Sequence, residues 1–353
     1  MKKKKLLSLL FLIQIIVVKL LSFFPEFVEK WYSNGIYVYI SGALRVFFGF
    51  FGFSIGDIIY GIVIIMGIRW LWQRRKTWRH AYKYNLVTML ATLSVIYFLF
   101  NILWAFNYHK IPLYQKMQIE KEYTLDELTA FTKKLIVKTN ALQVSITKND
   151  TMKVVMPYSV GQIYNNSVTA YSDLSQQFPY FRYKHESVKS SLFSVPLSYM
   201  GFGGYLNPFT NEAQVNSELP LYNLPTTTCH EMAHQIGFAN ESEANFIGFM
   251  ASIKSRDAYF QYSGYSFALK YCMRNIAKLD KKRAKSLAPL INKGILGNFK
   301  ESEQFNKKYE SFVEGIFKYI YDNYLKINRQ KDGLETYSKF VGLMVNYYSD
   351  KEL

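Results

Sequence analysis

Cysteine is scarce in this chain, which has only Cys229 and Cys272 among its 353 residues. Because no C-x-x-C pair or other zinc-ribbon spacing occurs, the sequence excludes cysteine-based zinc modules and a disulfide framework. A bond between the two cysteines is possible in an oxidising compartment, but a single pair does not imply one. On a helix, Cys229 would point about 100° away from the adjacent His230, so we expect it to be buried packing.

Acidic residues are also few, since 26 Asp and Glu stand against 43 Lys and Arg, a net charge of +17. Residues 1–107 hold 13 basic and 3 acidic groups, a net +10, which leaves +7 for the rest of the chain. The sequence contains no nucleic-acid-binding motif, no internal repeat and no low-complexity segment beyond the leading lysines. The excess therefore favours contact with anionic lipid headgroups over binding to nucleic acid.

Long apolar runs are confined to roughly the first 110 residues, where we expect about three transmembrane helices. The runs 6–24, 55–72 and 85–106 are each close to the length of about 20 residues that crosses a bilayer. Because no small-residue cleavage site follows the first run, it predicts an uncleaved anchor rather than a signal peptide. The stretch 36–53 contains Arg45 and several glycines, and we expect it to lie in the membrane interface or to re-enter.

The basic residues predict how these spans are oriented. The lysines at positions 2–5 and the basic cluster at 74–83 are expected on the cytoplasmic side. The chain then leaves the third span outside the cell membrane, which predicts an anchor over residues 1–108 and an extracytoplasmic domain over residues 109–353. If the stretch 36–53 crossed the membrane after all, the large domain would face the other side.

Histidine is rare as well, yet two of the five histidines occur in the frame His230-Glu231-Met232-Ala233-His234. Residues four apart on a helix project from one face, so His230 and His234 can bind one metal ion. Glu231 then lies where it can act on a water molecule at the metal. The alternative, a helix whose two histidines are merely polar groups, is disfavoured because the flanking residues also fit a metal site.

A catalytic zinc site needs a third protein ligand and an open position for water. Asn240, Glu241 and Glu243 compete for that third place. Asn240 is a poor zinc ligand and a good N-cap, and Glu243 lies where it would close a capping box. Glu241 has no competing role, so helix geometry favours it over Glu243. Asn245 lies one turn later on the same face, where it can support the site through a hydrogen bond.

An H-E-x-x-H motif followed by E-x-x-A-D or E-x-x-A-N on a second helix resembles the gluzincin metallopeptidases. The pattern is similar to that of the membrane-embedded prenyl-protein and heat-shock metallopeptidases. This resemblance implies that Glu241 is the third ligand and that Asn245 replaces the usual aspartate. Only six residues separate His234 from Glu241, far fewer than in those relatives.

Most of the chain resembles an uncharacterised bacterial family, known as a domain of unknown function, in which three membrane helices precede such a site. The matching stretches are 104–108, 208–213, the metal motif and 324–328. The resemblance implies a multi-pass metallopeptidase of the bacterial cytoplasmic (inner) membrane, without a known substrate.

The expected fold class is α+β, an N-terminal bundle of about three transmembrane helices followed by a mainly helical, zincin-like domain with a small sheet. Pro225 and Gly237 mark the start and the stop of the helix that carries the motif. The stretch 212–217 is predicted either as an edge strand able to bind extended peptide or as part of an ordinary hairpin. Further helices are predicted over 124–138, where a capping box begins the helix, and over 161–177, 309–327 and 334–348. One further strand is predicted over 189–200.

The hypothesis that follows is hydrolysis of peptide bonds by a zinc metallopeptidase. His230, His234 and Glu241 would hold Zn²⁺, and Glu231 would act as general base and then as general acid. The expected partners are a peptide or protein substrate and the lipid bilayer. The oxyanion also needs a hydrogen-bond donor, for which His185, Tyr199, Tyr205 and Tyr222 are candidates.

Two other functions stay open. The domain can be a non-catalytic scaffold or binding module that retains a metal site, although the intact Glu231 argues against this. It can also be a zinc hydrolase of cell-envelope amide bonds, which the sequence does not separate from a peptidase.

Overall fold

The structure, a computed structural model, describes residues 1–328 and 337–353 and divides the chain into two compact units. Unit 1 comprises Met1–Ile111 and Asn207–Glu212, and unit 2 comprises Pro112–Leu206 and Ala213–Leu353. The described residues are mainly helical and contain one small sheet, which agrees with the expected α+β class. The functional division at residue 108 stays a prediction.

Unit 1 is built from helices, two of which are long and apolar enough to cross a membrane. These two are Ile55–Arg74 and Tyr82–Leu103, and they coincide with the second and third predicted spans. The helix Lys2–Leu21 passes the same test only together with Pro25–Gly49, from which it is bent by 99°. Unit 1 thus has two candidate spans among its described residues, or three if the bent pair is one broken span. Its elements are α1 (Lys2–Leu21), α2 (Pro25–Phe27), a π-helix (Val28–Ile36), α3 (Tyr37–Gly49), α4 (Ile55–Arg74), α5 (Tyr82–Leu103) and a 3-10 turn (Ala105–His109).

Helices α1 and α5 pack together through small and polar side chains. Ser8 Oγ donates a 3.0 Å hydrogen bond to the carbonyl of Val87, and Gln14 Nε2 donates one of 3.2 Å to Ser94 Oγ. Small residues allow two helices to approach closely, and polar side chains then link them, which is typical of helix pairs in membranes.

The segment Asn207–Glu212 belongs to unit 1, where it closes the start of α4. The carboxylate of Glu212 accepts hydrogen bonds from the backbone N–H groups of Ile55 (3.2 Å) and Gly56 (2.6 Å). These amides have no partner within the helix, and the helix dipole favours a negative charge beside them. A Cβ on Gly56 would lie 2.5 Å from Asn207 Nδ2, so the close approach requires glycine. The stretch 208–213 is one of those that carry the family resemblance. Most of it therefore serves to stabilise the start of α4.

Unit 2 surrounds one buried helix, α11. Its residues from Glu241 to Ile253 are all buried, and it packs against α8, α10, α12 and α16. Phe249 lies in an aromatic core with Tyr265 and Tyr348 around it. The helices of unit 2 are α6 (Leu113–Lys116), α7 (Leu125–Thr147), α8 (Val160–Gln177), α9 (Ser194–Met200), α10 (Leu224–Gln235), α11 (Glu241–Lys254), α12 (Ala258–Leu279), α13 (Lys281–Leu287), α14 (Lys293–Tyr309), α15 (Phe312–Ile327) and α16 (Tyr337–Tyr347).

The sheet of unit 2 has the strand order β1-β3-β2, with β1 (Val188–Ser190), β2 (Gly204–Leu206) and β3 (Ala213–Val215). Strand β3 is buried and pairs in parallel with β1 and antiparallel with β2. The prediction of an edge strand over 212–217 is therefore wrong in position, because β3 is the central strand. The predicted strand over 189–200 is also wrong for most of its length, since α9 begins at Ser194.

Local helix signals were read correctly from the sequence. Thr124 forms the expected capping box with Glu127, although α7 continues to Thr147. The predicted start of the last helix at residue 334 lies outside the described residues, which resume at Tyr337. Both cysteines are buried and free, so the disulfide considered above is not formed.

Candidate metal centre

Helix α10 directs its two histidines toward one point. His230 and His234 are one helical turn apart, and their Nε2 atoms lie 3.1 Å from each other. The helix has Pro225 in its first turn and stops before Gly237, whose φ of +89° favours glycine. The backbone that follows returns the carbonyl oxygen of Phe238 to within 2.7 Å of His234 Nδ1. A hydrogen bond from Nδ1 to this carbonyl leaves Nε2 as the ligating nitrogen.

Helix α11 crosses α10 at close range because Gly248 lies at the crossing. A Cβ at this position would lie 2.9 Å from the backbone nitrogen of His230 and 3.1 Å from the carbonyl oxygen of Thr226. Asn240 caps α11 as expected, with its side chain accepting a 2.9 Å hydrogen bond from the N–H of Ser242. The cap starts α11 at Glu241, in the turn that faces the histidines.

The carboxylate of Glu241 spans both histidines. Its Oε2 lies 3.3 Å from His230 Nε2, and its Oε1 lies 3.5 Å from His234 Nε2. Two ligand atoms bound to a tetrahedral zinc ion at 2.0–2.1 Å are about 3.3 Å apart. The three separations among these groups, 3.1, 3.3 and 3.5 Å, therefore fit one zinc ion of three protein ligands.

Glu231 is buried beside this cluster. The side-chain nitrogen and oxygen atoms of His230, Glu231 and His234 that could bind a metal all lie within 4.8 Å of one another. Glu231 is therefore a second carboxylate, besides Glu241, that lies close to the two histidines. Glu241 fits the place of a third ligand, because its two oxygens lie 3.3 and 3.5 Å from the two Nε2 atoms. The Oε1 of Glu231 faces β2, since a Cβ on Gly204 would lie 2.7 Å from it. Glu231 thus lies between the metal-binding groups and the edge strand of the sheet.

The charges of the cluster stabilise one another in a buried setting. Burial lowers the pKa of His234, but the carboxylates of Glu241 and Glu231 outweigh it and raise that pKa to about 9. Burial favours the neutral form of Glu241, yet the two histidines hold its pKa well below the usual range. Burial also raises the pKa of Glu231, against the opposing effect of the histidines. A divalent cation must displace the proton of His234, because only neutral imidazole ligates a metal.

Two buried polar atoms of the candidate centre have no hydrogen-bond partner among the described residues. They are His230 Nδ1 and Glu231 Oε2, and Thr228 Oγ1 on α10 and Asn245 Nδ2 on α11 also have none. A buried polar atom without a partner is rare and costly unless a ligand, an ion or water satisfies it. The atoms of His230 and Glu231 fit a site that is completed by a cation, water or a polar substrate.

Tyr321 of α15 belongs to the candidate centre, although no sequence pattern indicates it. Its hydroxyl donates a 2.6 Å hydrogen bond to Glu241 Oε1, and its ring packs against Phe202 with centroids 5.0 Å apart. A hydrogen bond to a ligating carboxylate fixes the orientation of that ligand. Tyr321 is 80 residues from Glu241 in the chain, so no local spacing pattern signals the contact.

The remaining predicted residues are distributed differently. Glu243 Oε1 accepts a 2.7 Å hydrogen bond from the backbone N–H of Leu113, a contact that the sequence does not indicate, and the capping role expected of Glu243 stays a prediction. Asn245 is buried on α11, and its supporting hydrogen bond stays a prediction. His185 is exposed in the segment before β1 with a φ of +58°.

The three tyrosines named as oxyanion donors lie in different places. Tyr205 is on β2, next to Gly204. Tyr199 packs its ring against Tyr309, and the hydroxyl of Tyr222 is hydrogen-bonded to Ser302 at 2.5 Å. A role for His185 or any of these tyrosines at the oxyanion stays a prediction.

The family described as "Protein of unknown function (DUF3810)" matches residues 32–345 of the chain. This confirms the resemblance to an uncharacterised family, whereas the resemblance to gluzincins rests on the motif residues alone. No curated protein and no solved structure matches the chain.

Proposed function

The chain belongs to the DUF3810 family, and we propose that it is a membrane-anchored, zinc-dependent metallopeptidase. The observation that carries the proposal is the convergence of His230, His234 and Glu241, with ligand atoms 3.1–3.5 Å apart, beside the buried Glu231. The alternative is an ion pair that only stabilises the fold. Such a pair would not need two histidines whose Nε2 atoms lie 3.1 Å apart. It would also not need a second buried carboxylate, Glu231, whose Oε2 has no hydrogen-bond partner among the described residues.

Zinc, when bound, polarises a carbonyl group and lowers the pKa of a water molecule toward neutrality. The protein supplies a general base in Glu231, whose raised pKa suits it to accept a proton from water and to pass it to the leaving amine. Tyr321 and the carbonyl of Phe238 orient the ligands Glu241 and His234.

The substrate-binding surface follows from the sheet. Strand β2 is at the edge of the sheet, is partly exposed, and brings Gly204 against Glu231. An extended peptide can add to such an edge through main-chain hydrogen bonds. The peptide-binding role predicted for the stretch 212–217 is thereby transferred to Gly204–Leu206.

The test compares the parent with Glu231→Gln in two measurements on the purified full-length protein. These are the zinc content and the cleavage of a quenched-fluorescence peptide library. Glu231→Gln should keep its zinc and lose about 10²–10⁴-fold in cleavage rate, the usual contribution of a general base. Glu301→Gln is the matched control, because Glu301 is a surface carboxylate paired with Lys153.

The other outcomes separate the alternatives. If the parent lacks near-stoichiometric zinc and His230→Ala loses nothing further, the metal assignment fails. If a zinc-loaded parent cleaves cell-wall peptide fragments but no library peptide, the protein is a hydrolase of cell-envelope amides. If it cleaves neither and Glu231→Gln leaves the cellular phenotype unchanged, the site belongs to a scaffold.

A further inference from the structure

Helix α15 has two opposite faces with different surroundings. Tyr321 and Leu325 point into unit 2, where Tyr321 reaches Glu241 and Leu325 is fully buried. The helix also packs on α9, and Gly201 at the end of α9 leaves room for Glu314, whose Cγ would lie 3.2 Å from a Cβ there. The inward face is therefore an integral part of the metal centre.

The outward face of α15 is apolar and exposed. Its large side chains recur at the spacing of one helical face, and each has between 52% and 82% of its surface exposed. Single exposed apolar residues are common, but a stripe of this kind along a whole helix marks a contact surface. The members of this stripe are Phe312, Ile316, Tyr319, Ile320 and Ile327.

Two exposed lysines of α15 are each paired with an acidic residue one turn before them. Lys318 and Lys326 have 56% and 50% of their side chains exposed, whereas their partners Glu314 and Asp322 have only 28% and 25% exposed. Lysines that border an apolar stripe suit anionic lipid headgroups, and a tyrosine within the stripe suits the polar boundary of a bilayer.

A short stretch of chain ties unit 2 to the proposed membrane anchor. Helix α5, which is long and apolar enough to cross a membrane, ends at Leu103, and unit 2 begins at Pro112. The intervening eight residues, 104–111, extend over no more than about 30 Å. A weak affinity for lipid is then sufficient, because the tether gives the bilayer a high effective concentration. A soluble partner would have no such advantage.

We propose that the outward face of α15 docks on the headgroup region of the bilayer that anchors the chain, so that one helix contacts lipid on one face and the ligand Glu241 on the other. The inference rests on the proposed membrane anchor but not on peptidase activity. A substrate that lies at the membrane surface would then meet the metal centre beside a lipid-bound helix.

The test uses the full-length protein in vesicles of phosphatidylethanolamine and phosphatidylglycerol that contain a nitroxide-labelled lipid. Ile320→Cys is labelled with an environment-sensitive fluorophore, and the native cysteines do not compete because both are fully buried. The nitroxide should quench the Ile320→Cys probe at least about twofold more than a probe at Gln304→Cys, on the exposed side of α14. A probe at Asn323→Cys, an exposed position on the same face of α15, repeats the measurement in case Ile320→Cys fails to fold.

A probe at Ile64→Cys, in the exposed apolar part of α4, separates the two proposals. Strong quenching at Ile64 with none at Ile320 and Asn323 overturns the docking of α15 and leaves the anchor intact. No quenching at any of these positions overturns the membrane anchor itself. A shielded Ile320 probe that is insensitive to nitroxide lipid, and that depends on the protein-to-lipid ratio, assigns the face to a second copy and overturns the proposal.

Discussion

At the residue scale, two glutamates on the same turn of α11 have different tasks. Glu241 approaches both histidines, whereas Glu243 holds the backbone of Leu113. The separation follows from helix geometry, since residues two apart point in directions about 200° apart. The same geometry places Asn245 one turn beyond Glu241.

Replacing these residues one at a time tests the ligand assignment. Glu241→Ala should cost most of the zinc affinity, because it removes one of three protein ligands. Glu243→Ala should keep its zinc and lose about 1–3 kcal/mol of unfolding free energy, the cost of leaving the N–H of Leu113 without a partner. Asn245→Ala should weaken zinc binding by about 10–100-fold, as changes beside a ligand do.

Zinc content and thermal unfolding of the three variants decide between the two glutamates. If Glu243→Ala empties the site while Glu241→Ala stays loaded, the third ligand is Glu243 and the geometry described above is misassigned. If Asn245→Ala binds zinc as the parent does, Asn245 serves packing alone.

A buried lysine away from the centre gives a pH-dependent prediction. Burial lowers the pKa of Lys270 to about 8, with Arg274 acting in the same direction and Glu303 against it. The unfolded chain thus binds more protons than the folded one between about pH 8 and the ordinary lysine pKa near 10.4, so stability should rise with pH across this window. Lys270→Met should stabilise the protein at pH 7 by on the order of 1–3 kcal/mol, at 1.36 kcal/mol per pKa unit.

Unfolding midpoints at pH 7 and pH 10 check this sign. The advantage of Lys270→Met over the parent should shrink at pH 10, while the exposed Lys285→Met should change little at either pH. An advantage of equal size at both pH values would show that packing, rather than the buried charge, is responsible.

The grouping of residues at the candidate centre was predictable where it depends on one helix and the next helix in the chain. The convergence of His230, Glu231, His234 and Glu241 follows from spacing within 12 residues. Tyr321 reaches Glu241 from 80 residues away and Leu113 reaches Glu243 from 130 residues away, so only the fold brings these pairs together.

At the element scale, the centre depends on how closely α10 and α11 cross. Gly248→Ala would place a methyl group 2.9 Å from the backbone nitrogen of His230, and backbone atoms cannot move aside cheaply. The helices should separate, with a loss of about 1–3 kcal/mol in stability and a marked loss of zinc affinity, because Glu241 would shift away from the histidines.

Two other glycines are matched controls for this change. Gly264→Ala crowds Ser252 and Ile253 at the crossing of α11 and α12, so it should destabilise the fold but leave zinc binding intact. Gly161→Ala on α8 meets nothing within 4 Å and should be tolerated. Zinc affinity measured on folded protein discriminates, and equal affinities for Gly248→Ala and Gly264→Ala would contradict the role of the crossing.

Elements with local signals were predicted well, and those without them were not. The capping box at Thr124, the stop at Gly237 and the cap at Asn240 are each encoded within four residues. Strands of three residues carry no comparable signal, since their pairing depends on partners far away in the chain. The central position of β3, and with it the edge position of β2, therefore became visible only in the fold.

At the scale of the whole molecule, the orientation of unit 1 decides which compartment the metal centre faces. The basic residues at 2–5 and 74–83 predict a cytoplasmic location for both segments. Helix α1 and the helical stretch Pro25–Gly49 meet at a bend of 99°, which fits either a broken span or a re-entrant loop. If Pro25–Gly49 is a re-entrant loop, α1, α4 and α5 each cross the membrane once. The chain then leaves α5 on the extracytoplasmic side of the membrane.

Reporter fusions test this orientation directly. A reporter joined after residue 115 should behave as extracytoplasmic, and one placed near Thr77 as cytoplasmic, because the basic cluster holds that loop inside. Alkaline phosphatase is active only outside, and a fluorescent protein that folds only in the cytoplasm gives the opposite signal, so the two reporters check each other.

An extracytoplasmic signal near Thr77 would contradict the basic-residue argument itself. A cytoplasmic signal after residue 115, with the loop at Thr77 still inside, would show that the number of crossings between the two sites is even and that α5 is not a single crossing. If both signals were reversed, the stretch 36–53 would be a crossing, and the metal centre would act on substrates inside the cell.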